Sequence, residues 1–247
     1  MSALVGAELL KLRTTRAWIG YLLALALLTG IGVAAQIGSA VDAELGERGF
    51  QLDLVETASV SGLIALLLGI TSVTWEWRHG TITPTFLTTP RRERVVAAKL
   101  VAAALVGGAL AIAGVLVVLA VAVPWLAAEG APLSLGGATW GRIGRLFLAA
   151  ALWGAIGAAV GSLVHSQVGA LVGAIIWLVL GEALVVGLLG LADVEGAGDY
   201  LPGQALGALD GSSDDGLPAW AGALVGVCYL GVLGLLGALR SRRRDVT

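Results

Sequence analysis

Few residues in this 247-residue sequence have the chemistry of a reactive centre, and their spacing argues against one. His79 and His165 are the only histidines, too few and too isolated for a histidine-based metal site. Cys228 is the only cysteine, so no internal disulfide can form. The sequence contains no GxxxxGKS or GxxxxGKT phosphate loop, no HExxH and no GxSxG elbow. It therefore supports no enzyme and no cofactor bound by this chain.

Two places remain where polar chemistry stands out. The first is Glu182, alone within a long apolar run, where a charged carboxylate costs roughly several kcal/mol unless it is paired, protonated or facing water. Arg145, or less favourably Arg142, can reach it if the fourth apolar segment begins around Trp140 and carries these arginines down from the outer surface. Two roles stay open for this group: a buried pair that fixes helix register, or a station on a substrate pathway. The second place is the polar stretch from Trp75 to Arg94. Trp75 and Trp77 mark a membrane interface, and Gly80 permits a turn that a Cβ would hinder. Thr83 and Pro84 then read as N-cap and first helical position of a short helix that Pro90 ends. Such a helix exposes Phe86 and Leu87, as docking into a partner's groove requires. The competing reading is a solvated basic loop that only fixes topology.

The elements that must position these groups are membrane helices. Hydrophobic residues make up 57% of the chain and charged residues 13%, and the mean hydropathy is +0.92. These values lie outside the range of soluble domains. The 37 glycines are interleaved with Leu, Val and Ala, a composition that suits closely packed membrane helices rather than disorder. Six apolar stretches can cross a hydrocarbon core of about 30 Å at about 1.5 Å per residue. They run roughly over 17–37, 59–75, 98–123, 146–163, 168–191 and 219–239. Only His165, Ser166 and Gln167 separate the fourth from the fifth, which makes that pair a tight hairpin. Gly157 and Gly161, Gly169 and Gly173, and Gly222 and Gly226 have the four-residue spacing that lets helices approach closely.

Charge placement orients the spans. With the N-terminus inside, the outer segments hold only Arg48, Arg142 and Arg145 of the 15 lysines and arginines, and most acidic residues fall outside. Both termini are then cytoplasmic. The first apolar run, about 20 residues long, exceeds the about 7 to 15 of a signal-peptide core and reads as a retained helix, although Val33-Ala34-Ala35 faintly resembles a cleavage site. Ahead of it, residues 2–16 can form an amphipathic helix along the inner surface, with Val5, Leu9 and Leu12 on one face and Glu8, Lys11 and Thr15 largely on another. The bland alternative is an ordinary topogenic flank. The acidic segment 192–218 reads as a solvated outer loop, since a calcium loop needs a denser ordered set of ligands. The expected fold is thus an all-α, six-transmembrane-helix bundle, treated as one transmembrane domain over 1–247.

On particular residues the sequence resembles a known family. Glu8-Leu9-Leu10-Lys11-Leu12-Arg13-Thr14, six spans, Glu76-x-Arg78-x-Gly80-Thr81-Ile82 leading to Pro90-x-Arg92 and Lys99, and Tyr200-Leu201-Pro202 after the fifth span look like the permease subunit of ABC-2-type ABC transporters. The resemblance spans essentially the whole chain and rests on topology with short motifs. It implies an exporter of two permeases and two ATPases in the cell membrane, working by alternating access, with a hydrophobic or amphipathic cargo and no nucleic acid. ATP and Mg would bind the separate ATPase subunit. A coupling helix between spans two and three would seat on that subunit. Carried over to this chain, the coupling residues are Glu76, Arg78, Gly80, Thr81, Thr83, Pro84, Phe86, Leu87, Pro90 and Arg92, with Glu76 and Arg78 bracing the end of span two. The short outer loops depart from larger members of the family and argue against recognition of a bulky folded domain. The rival class is a membrane transporter, sensor or immunity scaffold with no ATPase partner, although the halves 1–123 and 124–247 show no convincing inverted repeat.

Overall fold

The computed structural model describes residues 1–41, 44–78, 92–164, 166–194, 196–213 and 216–242, apart from the side chains of Trp77, Arg92, Ser241 and Arg242. Among them the regular secondary structure is all helical, joined by turns and coil, with no strand. Helix α1 (Ser2–Thr14) is followed after two residues by α2 (Ala17–Ser39). Arg16 makes the turn in the left-handed region at φ 54°, which is uncommon for a side chain with a Cβ. Next come α3 (Arg48–Glu56), a 3-10 turn (Thr57–Ser59) and α4 (Val60–Arg78). Helix α5 (Arg92–Ala128) has 37 residues and so extends about 55 Å, well beyond a hydrocarbon core. Helix α6 (Gly137–Leu163) is followed closely in the sequence by α7 (Gln167–Ile176). However, α7 packs more on α4 than back along α6, so the two do not form the tight hairpin expected. The Ser166 hydroxyl accepts from the Gly169 N–H at α7's start. A π-helical turn (Trp177–Gly181) joins α7 to α8 (Glu182–Leu191). Helices α9 (Pro202–Asp210) and α10 (Ala219–Arg242) follow.

Six helical segments are long and apolar enough to cross a membrane, and they fall where the hydropathy pattern placed them. They are Ala17–Ser39, Arg48–Glu76, Glu93–Ala128, Gly137–Leu163, Gln167–Leu191 and Ala219–Arg240. The second begins earlier than expected because α3 and the 3-10 turn lead into α4, burying Leu54, Val55 and Ala58 completely.

Helix α6 is the hub. It packs on α4, α5, α9 and α10, and small residues make those approaches close. A Cβ at Gly154 would overlap the Ala103 carbonyl of α5, and one at Gly157 would overlap the Leu66 carbonyl of α4. At Gly161 it would lie 2.8 Å from the Ile70 carbonyl. In lipid the apolar effect does not favour one helix neighbour over a lipid tail, so backbone proximity and dispersion contacts must supply the association. Gly222 meets the Ala205 carbonyl and Gly226 the Leu206 side chain in the same way, joining α10 to α9. The third spaced pair behaves differently. Gly173 has open space around it, and Gly169 meets only its own capping Ser166.

Part of segment 192–218, expected as a solvated loop, is structured and buried. Pro202 starts α9 at a position where the missing N–H costs nothing, and every residue from Ala205 to Asp210 is buried. The stretch is too short, and too diluted by Gly, Pro and Asp, to register as an apolar segment. Its small side chains nevertheless fit the glycine face of α10.

Candidate functional site

Four charged side chains from three helices meet at one end of the bundle. Glu8 and Lys11 lie one turn apart on α1, Glu76 near the end of α4, and Lys99 two turns into α5. Lys99 Nζ donates to Glu8 Oε2 at 2.7 Å and to Glu76 Oε1 at 2.7 Å. Lys11 Nζ donates to Glu8 Oε1 at 2.8 Å and to Glu76 Oε1 at 2.9 Å. The side chains of Lys99, Glu76 and Glu8 are 5%, 7% and 11% exposed, whereas Lys11 is 41% exposed and forms the outer edge.

Burying ions costs several kcal/mol each in order of magnitude, and close opposite charges with hydrogen bonds recover it. Here two carboxylates and two ammoniums cancel, and each ammonium touches both carboxylates. Burial alone would push the Glu8 carboxyl up. Lys99, then Lys11, outweigh it and hold Glu8 below the ordinary carboxylate range. Burial likewise works to lower Lys11, but Glu8 and Glu76 raise it above its ordinary value. One atom is left over: Glu76 Oε2 is buried without a hydrogen-bond partner among the described residues.

This cluster corrects the reading of α1. Its protein-facing side carries buried Glu8, while Leu10 is 61% exposed and Val5, Leu9 and Leu12 are half-buried. Glu8 points inward because Lys99 is there to receive it. In the sequence Lys99 reads as an inside-facing charge and as part of the family pattern, and nothing local to it says which acid it meets.

The sequence-derived coupling residues divide sharply. Glu76 is buried in the cluster, and exposed Arg78 reaches Gln167 Oε1 at the start of α7 at 3.4 Å. Gly80, Thr81, Thr83, Pro84, Phe86, Leu87 and Pro90 lie outside the described residues, and Arg92 is described only as the first residue of α5. The cluster therefore stands at both roots of segment 79–91: Glu76 precedes it, Lys99 follows it, and both are fastened to α1.

Glu182 is placed otherwise than expected. It is 3% exposed, and among the described residues it pairs with neither Arg142 nor Arg145. Its Oε1 accepts from the Gly203 N–H at 2.7 Å, and the Gln204 backbone and Trp177 side chain bear on the same carboxylate. The unsatisfied N–H groups and positive dipole end of α9 thus stand in for a counter-ion. A Cβ at Gly203 would meet the Glu182 carboxylate and require that side chain to shift. Arg142 instead pairs with Glu56 at the end of α3, while burial pushes the Asp210 carboxyl above its ordinary range against the opposing pull of Ser212, Arg142 and half-buried Arg145. These contacts fix α3, α6 and α9 at the end of the bundle opposite the four-charge cluster. They were out of reach of sequence reasoning because α9 was not recognised as a helix with an N-terminus to offer.

Among the described residues, no group of three or more His, Cys, Asp or Glu is placed to hold a metal. No model of a known protein family and no curated protein matches the sequence.

Proposed function

We propose that this chain is the permease subunit of an ATP-driven ABC exporter, working as a homodimer or beside a similar permease and coupled to a separate ATPase. The observation that carries this reading is the four-charge cluster. A segment that receives force from a partner must pass it to the spans, and here Glu76 and Lys99 tie both roots of segment 79–91 to α1, which leads directly into α2. Push the segment, and α1, α2, α4 and α5 are loaded together. In this reading the cluster lies at the cytoplasmic face, both termini are inside, the membrane is the cell membrane, and residues 76–94 are the coupling segment. The absence of a phosphate-binding loop in the sequence agrees with ATP and Mg being held by another polypeptide.

The distribution of burial supports an assembly. The apolar windows of α2, α7–α8 and α10 are 17%, 6% and 17% buried within the chain, against 72% for α6. Those three segments are left to lipid and to a second permease. Movement of such outer helices relative to α4, α5 and α6 would alternate access for a hydrophobic or amphipathic substrate.

Affinity purification of the full chain in mild detergent, followed by identification of co-purifying chains, tests the proposal. An ATP-binding subunit is expected, and Phe86→Asp is expected to release it while leaving the permease folded. Recovery of no ATP-binding chain, together with unaltered function of Phe86→Asp, would leave the scaffold or ATPase-free transporter as the better reading.

A further inference from the structure

The fifth span, residues 167–191, touches the rest of the chain sparingly. Only Ala170 and Glu182 in it are buried. Between them Leu171, Ala174 and Leu178 reach the edge of the core from one helix face. Behind that stretch lies a cavity of about 300 Å³. Ala174, Trp177 and Leu178 form its wall on the side of the fifth span, and Leu66 of α4, Ile156 of α6 and Leu233 of α10 face them.

The wall is almost wholly carbon. Its Tyr229 hydroxyl donates to the Tyr200 carbonyl at 3.2 Å, and the Trp177 side chain is hydrogen-bonded to Glu182. An enclosed water needs about two to four polar partners, so water does not fill this space. Depth narrows the choice further. The stretch from Gly173 to Leu178 begins 6 residues beyond Gln167 and ends 11 beyond it, about 9–17 Å along a 25-residue segment of about 38 Å. That depth lies within the hydrocarbon layer of a bilayer. The cavity also opens to its surroundings, because Gly173 is exposed and Trp177 is 43% exposed.

A second copy of the chain is the poorer occupant. It would meet the outward face of the span, where Val172, Ile176 and Val179 are exposed, whereas the cavity lies behind that face between walls of a single chain.

We propose that this cavity holds one acyl chain of a membrane lipid, threaded between the fifth span and the body formed by α4, α6 and α10. The chain completes packing that the protein's own side chains leave open, restoring dispersion contacts that an empty cavity forfeits. The inference rests on the membrane-spanning character of the helices and not on an ATPase partner.

The test uses the full chain in nanodiscs of dioleoyl phosphatidylcholine doped with a phosphatidylcholine that carries a diazirine midway along one acyl chain. Photolabelled residues are mapped by peptide sequencing. Insertion is expected at Trp153, Ile156 and Val160, the face of α6 that lines the cavity. It should exceed that at Ala155, Ala158 and Ala159, buried residues of α6 that do not line it, by about fivefold, roughly the effect of a few dispersion contacts. Ala174→Phe and Leu233→Phe fill the cavity from opposite walls. Each should remove the labelling of α6 and leave that of the exposed Leu184 and Leu188 unchanged. The wild-type pattern along α6 decides the matter even where a filled variant fails to fold. Labelling confined to the outward face of the fifth span, or labelling of Trp153, Ile156 and Val160 that persists in a folded variant, overturns the proposal. So does labelling of α6 that is present in nanodiscs holding a monomer and absent from those holding a dimer, which would give the cavity to a second copy.

Discussion

Lys99 and Glu8 stand 91 positions apart in the sequence and 2.7 Å apart in the fold. Each also has a second partner of opposite charge, Glu76 for Lys99 and Lys11 for Glu8. The pair converts α1 from a surface flank into a strut fixed against α4 and α5. Because Lys99 is 5% exposed and Lys11 41%, the two lysines are not equivalent members of the cluster.

Removing Lys99 should therefore cost more than removing Lys11. Lys99→Met leaves two buried carboxylates short of their interior cation and is expected to destabilise the chain by about 3–5 kcal/mol, whereas Lys11→Met should cost about 1 kcal/mol or less. Reversible unfolding in mixed micelles measures both. Equal losses would mean that burial does not set the strength of these contacts.

The cluster should also impose a pH window on α1. Glu8 titrates below its ordinary value of 4.5, so its contribution is fully present above that value and is lost as pH falls through the lower folded value. Lys11 titrates above its ordinary 10.5, so its contribution is present below that and is lost as pH rises through the higher folded value. Thermal unfolding of the wild type should accordingly show an acid-side loss below about pH 4.5 that Glu8→Gln lacks. Identical acid profiles for the two proteins would remove Glu8 as its source.

Glycine positions give a contrast within the same helix type. Gly157→Ala places a Cβ against the Leu66 carbonyl and should destabilise by about 1–3 kcal/mol through separation of α4 from α6. Gly173→Ala meets open space and should be neutral or stabilising by up to about 1 kcal/mol. Melting temperatures of the two variants decide the matter, and a loss at Gly173 would reveal a neighbour on that face, such as a second copy.

At Glu182 the acceptor matters more than the charge. Glu182→Gln keeps an oxygen for the Gly203 N–H and should retain the fold, while Glu182→Leu leaves that N–H buried and unpaired at a cost of about 1–3 kcal/mol. Normal assembly and transport by the Gln variant would remove this residue from any substrate pathway and leave it as the anchor of α9. Transport lost with assembly intact would instead place its charge on the path.

The sequence by itself determined the six apolar spans and offered three glycine-spaced faces, of which the fold packs two. Hydropathy, helix period and small-residue spacing are properties of a few consecutive turns, so they can be read without knowing what lies opposite. Tertiary structure alone decided which polar groups meet. Glu8 looked like part of a polar helix face and Lys99 like a topogenic charge until α1 folded back onto α5. Glu182 looked like a partner for Arg145 until α9 brought its N-terminus to that carboxylate. One clue was present in the residues themselves: Lys99 lies inside the start of a long apolar helix, where a cation needs an acid from elsewhere. Which acid answers it depends on distances in space between segments far apart in the chain, and no local pattern encodes them.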